Sequence, residues 1–88
     1  MAKLRFKPCV LIVDDEALIA LMLQDYLDDL NCAVAGPCAT VADALALIAT
    51  LGKDGLHAAI LDVSLAGGST SYPIADRLKE LGVPYAFS

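Results

Sequence analysis

The sequence predicts an α/β fold built on a parallel sheet, and three observations carry that expectation. Two short apolar runs, Val10-Leu11-Ile12-Val13 and Ala58-Ala59-Ile60-Leu61, each end in acid, the first in Asp14-Asp15-Glu16 and the second in Asp62. Between the short runs lie amphipathic stretches with apolar residues three and four apart. The resulting alternation of strand and helix implies parallel strands joined by right-handed crossovers. Acids at the carboxyl ends of such strands stand where open α/β sheets place their working groups. With the two strands as parallel neighbours, Asp14, Asp15 and Asp62 converge on one small pocket.

The elements follow in order. After the first strand, Ala17 to Leu30 reads as a helix with a stripe of Ile19, Met22, Leu23, Tyr26, Leu27 and Leu30, its N-H groups capped by Asp15 or Glu16 and its outer face carrying Asp25, Asp28 and Asp29. Tyr26 and Met22 are assigned to the core. Asn31 ends the helix, and Cys32 to Ala35 forms a second strand closed by Gly36-Pro37. Thr40 is an N-cap for Val41 to Leu51, with Asp43 in capping-box position and a stripe of Val41, Ala44, Leu45 and Ile48. Gly52 stops that helix, a Lys53-Asp54-Gly55 turn follows, and His57 is a surface or loop residue before the Asp62 strand. Gly67 to Ser71 is a polar loop ending in a helix cap. Tyr72 to Leu81 is a helix with Pro73 in its first turn, Gly82 ends it, and Val83 to Phe87 is a fourth strand.

Composition narrows the function. The 88 residues make one small domain, 1–88; a chain of this size buries only about 60 to 65% of its unfolded surface. The apolar fraction of 58% and mean hydropathy of +0.65 are high. No apolar run approaches the roughly 20 residues of a membrane span, so the apolar content reads as dense core. The basic start, Met1 to Pro8, resembles a signal peptide, but the apolar stretch meets two aspartates too soon, which points to the cytoplasm. A net charge of -5, with six Lys and Arg in all, disfavours direct nucleic-acid binding. Cys9, Cys32 and Cys38 lack CxxC spacing and His companions, so they are expected as buried reduced thiols.

The chemistry comes from crowding carboxylates. Two unit charges ~4 Å apart repel by ~4 kcal/mol at an effective dielectric of ~20, so such a cluster must take up protons or a cation. A hard divalent ion with oxygen ligands answers the need, and Mg²⁺ suits a site with few carboxylates and retained waters. Asp62 would keep an oxygen free to attack a phosphoryl group.

The pairing of Val10-Leu11-Ile12-Val13-Asp14-Asp15-Glu16 with Ile60-Leu61-Asp62-Val63 resembles the receiver domain of bacterial two-component response regulators, in order and spacing across the whole chain. The resemblance implies a flavodoxin-like doubly wound parallel sheet of order 2-1-3-4. It implies that Asp62 is the phospho-acceptor, that Asp14 and Asp15 hold Mg²⁺ with Asp62, and that the Ser64 backbone carbonyl completes the metal site. It further implies a sensor histidine kinase or phosphotransfer protein as donor, and a phospho-acceptor signalling domain rather than an enzyme.

The chain also departs from the family pattern. The usual Pro four residues after the acceptor is Ala66, followed by Gly67-Gly68, which suggests a more mobile loop. The hydroxyl residue expected after the fourth strand falls one position beyond Ser88, or on Ser88 if the register shifts by one. The fifth strand with its Lys and the last helices are missing from the pattern, so the receiver reads as incomplete at its C-terminus. An open fourth strand then invites a homodimer. Two rivals stand beside this reading. An aspartyl-phosphate phosphatase would want a second Asp where Ser64 stands; a receiver-like interaction module would carry the same acids without being phosphorylated.

Overall fold

Strands and helices alternate along the chain as β1 (Cys9–Val13), α1 (Ala17–Asp29), β2 (Ala33–Cys38), α2 (Val41–Gly55), β3 (Ala58–Leu61), α3 (Tyr72–Leu81) and β4 (Tyr85–Phe87), with a 3-10 turn at Ala66–Gly68. The computed structural model describes residues 6–88, and of Ala66 the backbone alone. The basic start at residues 1–5 lies outside the described residues. The strands form one sheet in the order β2-β1-β3-β4, every neighbouring pair parallel. This is the doubly wound order expected from the sequence.

Strand side chains alternate between the two faces. Leu11, Val13, Ala59 and Leu61 turn to one face, where they pack with Ile48 of α2, Leu56, and Ile74 and Leu78 of α3 in the larger core. Val10 and Ile12 turn to the other, under Ala20 and Leu27 of α1. The sheet is therefore covered on both faces at its centre, which explains why β1 is apolar without a break.

Four expectations are corrected. Met22 and Tyr26 are not core residues: they are 61% and 62% exposed, and Ile19 and Leu30 are exposed as well. Helix α1 instead seats Ala20 and Leu27 on the sheet, with Leu23 half-buried. Its first turns are apolar nearly all the way round, so spacing alone did not select the inward arc, whereas the small Ala20 lets the helix approach the strands closely. Second, Gly36-Pro37 does not close β2; the strand runs through it to Cys38. Third, Gly52 breaks the α2 helix with φ +68 and ψ 177, but the expected Lys53-Asp54-Gly55 turn forms a further helical turn. Fourth, β4 is shorter than expected, beginning at Tyr85.

Other local rules hold. The Asp43 N-H donates to Thr40 Oγ1 at 3.1 Å, the N-cap bond read from the sequence. Asn31 ends α1 in the left-handed region, φ +61, and Gly82 ends α3 at φ +74.

Candidate metal centre

β1 and β3 end at the same level, Val13 opposite Leu61, and the Asp62 N-H donates to the Val13 carbonyl at 2.8 Å. The next residue of each strand is thus an aspartate leaving the sheet at the same edge. Side-chain oxygens of Asp14, Asp15 and Asp62 lie within 4.8 Å of one another. Asp14 is buried, Asp62 half-buried and Asp15 exposed, which grades the cluster from sheet to solvent.

Asp14 is the most constrained of the three. Its N-H donates to the Cys38 carbonyl at the end of β2, 2.9 Å, and its Oδ1 accepts the Glu16 N-H, also 2.9 Å. Asp15 and Glu16 do not cap α1 as expected; Glu16 occupies the N-cap position without a side-chain bond, and Asp14 takes the free N-H two residues on. One carboxylate oxygen thereby fixes the side chain and the other is free to bind. Three carboxylates with two exposed to differing degrees form a hard, oxygen-only donor set, which fits Mg²⁺ or a similar divalent cation.

Ser64 lies just beyond β3 in an isolated antiparallel bridge with Thr70. The loop after it is stitched rather than loose: the Leu65 N-H donates to the Ser69 carbonyl, 2.8 Å, and the Ser71 N-H to the Val63 carbonyl, 2.9 Å. Ser71 sits at the head of α3 but makes no side-chain cap bond; its Oγ is fully buried without a hydrogen-bond partner.

His57 is the loop residue before β3 that the sequence predicts, but it makes bonds that the sequence does not show. It is half-buried, its Nδ1 accepts the Cys9 N-H at 2.9 Å, and its own N-H donates to the Cys9 carbonyl at 2.9 Å. Phe6 packs edge-on against its ring, centroids 4.7 Å apart. The imidazole thus ties the starts of β1 and β3 together, at the end of the sheet away from the acids. The thiols are free, but only Cys38 is buried; Cys9 and Cys32 are half-buried, not core thiols as expected. Burial pushes the Cys38 thiol pKa up, with the Asp43 carboxylate adding to the shift, and burial pushes Cys9 up as well.

No family model matches the chain, and no curated protein matches it. Solved structures do. SdrG from Sphingomonas melonis Fr1 is 46% identical over 92% of this chain, with a TM-score of 0.83. A BeF3-activated conformation of SdrG matches at the same 46% identity, TM-score 0.73. The receiver domain of the PhyR response regulator from Erythrobacter litoralis is 33% identical over 92% of the chain, TM-score 0.79. The chain belongs to the receiver family of response regulators. This receiver spans 66% of the length of the first SdrG structure and 61% of the Erythrobacter domain. PhyR from Bartonella quintana, solved in complex with the anti-sigma factor NepR, shares its fold at 24% identity and a TM-score of 0.79, the receiver spanning 34% of that chain.

Proposed function

We propose that the receiver acts in a phosphorelay, with Asp62 accepting a phosphoryl group from a histidine kinase or a phosphotransfer protein in the cytoplasm. The observation that carries this reading is the convergence of Asp14, Asp15 and Asp62 from two adjacent strand ends. Asp14, Asp15 and Asp62, with the Ser64 carbonyl, would hold Mg²⁺. Bound there, the ion would neutralise the phosphoryl oxygens and align them for in-line transfer. Asp62 attacks phosphorus through a carboxylate oxygen; the new acyl phosphate bond forms as the donor's N-P bond breaks, and the imidazole leaves. Burial of Asp14 and its two hydrogen bonds hold its carboxylate in place while Asp62 reacts. Nothing in this scheme turns over a substrate, so the domain serves as an acceptor and not as an enzyme. No described helix is long and apolar enough to cross a membrane.

Intact mass after incubation with Mg²⁺ and acetyl phosphate tests the reading. The receiver should gain one phosphoryl group and the Asp62→Asn variant none; equal labelling of both would reject Asp62, and no labelling of either would reject phosphoryl acceptance. The second reading, a module that docks a partner without phosphorylation, draws on the PhyR structure solved with NepR. It predicts a partner bound equally by the receiver and by Asp62→Asn.

A further inference from the structure

Directly beneath the acidic cluster the sheet is irregular. Cys9, Val10 and Leu11 of β1 pair in step with Ala33, Val34 and Ala35 of β2, but the next pair is Val13 with Cys38. Two steps along β1 meet three along β2, so β2 carries one extra residue in the Gly36-Pro37 stretch. Its cause is readable. The Ala33 N-H donates to the Pro8 carbonyl, so alternate residues of β2 turn their backbone toward β1. Residue 37 would be next in that series after Ala35, and proline has no N-H to give. The strand therefore slips and Cys38 takes the place.

The slip is packed tightly. Gly36 has φ +90, and a Cβ there would lie 2.8 Å from the Cys38 nitrogen and 2.9 Å from the Ile12 carbonyl oxygen. Both atoms belong to the frame of Asp14: Cys38 supplies the carbonyl that receives the Asp14 N-H, and Ile12 lies two residues before it. A bulge adds local twist and re-aims the side chains next to it.

We propose that the Gly36-Pro37 bulge is a positioning element for the acidic cluster, turning the end of β1 so that the buried Asp14 carboxylate faces Asp15 and Asp62. The assignment rests on the reading of the cluster as a divalent-cation site. Gly36 and Pro37 act only through Asp14 and touch no ligand.

The decisive variant deletes Pro37. It leaves a regular ladder in which Cys38 still meets Val13 and can still accept the Asp14 N-H, so the hydrogen bond is kept while the added twist is lost. Mg²⁺ affinity is measured by titration calorimetry for the receiver, the Pro37 deletion, Gly36→Ala, Asp15→Asn, and Ile48→Val as a core variant away from the site. The Pro37 deletion and Gly36→Ala should each weaken Mg²⁺ about tenfold, the scale seen when groups supporting metal ligands are disturbed. Ile48→Val should bind as the parent does, and acetyl phosphate labelling of the two bulge variants should recover at saturating Mg²⁺. A folded Pro37 deletion with affinity within about twofold of the parent would overturn the assignment. Failure of the parent to bind Mg²⁺, or its retention in Asp15→Asn, would instead overturn the cation reading itself. Should neither bulge variant fold, the amides of Gly36 and Cys38 in the parent are followed by NMR during Mg²⁺ titration. They should shift together with that of Asp14, and unmoved signals would reject the coupling.

Discussion

Cys38 serves two purposes with its two ends. Its carbonyl holds the Asp14 N-H, and its thiol is buried in the larger core, near enough to Asp43 for that carboxylate to add to the rise in its pKa. A thiol raised in the folded state favours folding while protonated; the contribution is complete below the ordinary thiol pKa of about 8.5 and disappears as pH climbs through the folded value. Urea midpoints should therefore fall on going from neutral pH into the alkaline range, and Cys38→Ala should remove part of that fall. A decline of the same steepness in Cys38→Ala would show that the thiol is not the group responsible. Labelling follows the same logic: the half-buried Cys32 should react with a disulfide reagent before Cys38, whose thiolate is both scarce and shielded.

At the level of elements, α1 carries the clearest test of how the core is assembled. Leu27 is 6% exposed whereas Met22 is 61% exposed, although both lie on the apolar spacing of one helix. Leu27→Ala should cost about 2 to 5 kcal/mol by chemical denaturation. Met22→Lys should stay within about 0.5 kcal/mol of the parent, and a cost comparable to that of Leu27→Ala would restore Met22 to the core. The same helix shows what a sequence can convey. Strand and helix order was legible because short apolar runs and longer amphipathic ones differ in period, and the acidic strand ends were legible because β1 and β3 stop at Asp14 and Asp62. The inward face of α1 was not, since Leu18, Ile19, Leu21 and Met22 offer apolar surface in every direction. Nor was the path of β2, where Gly36-Pro37 reads as a turn and is used as a bulge. The loop position of His57 was legible but its bond was not, since a lone histidine has no spacing to interpret and its contact with Cys9 depends on two strands meeting.

At the scale of the whole sheet, β4 is the outer strand among the described residues, and its backbone has a definite polarity. Pro84 accepts the Ala59 N-H and the Ser88 N-H donates to Leu61, so Pro84, Ala86 and Ser88 face β3. Tyr85 and Phe87 must then direct their N-H and carbonyl groups outward. An antiparallel pair of β4 strands about a twofold axis at Ala86 would set Tyr85 of one copy opposite Phe87 of the other, each exchanging both backbone groups. The small Ala86 lets the strands cross closely. The side chains of Tyr85 and Phe87, already in edge contact with centroids 5.7 Å apart, extend into a cross-strand aromatic patch with Tyr72. Such pairs contribute roughly 0.2 to 1 kcal/mol each, and the edge from Tyr85 to Phe87 carries no charge that would repel a second copy. The 88-residue chain should thus move from monomer toward dimer as its concentration rises in sedimentation velocity runs. Phe87→Lys, which places a cation at each end of the paired strands, should remain monomeric. A parent chain that sediments as a monomer throughout, or a Phe87→Lys variant that dimerises equally well, would rule out this edge as the contact.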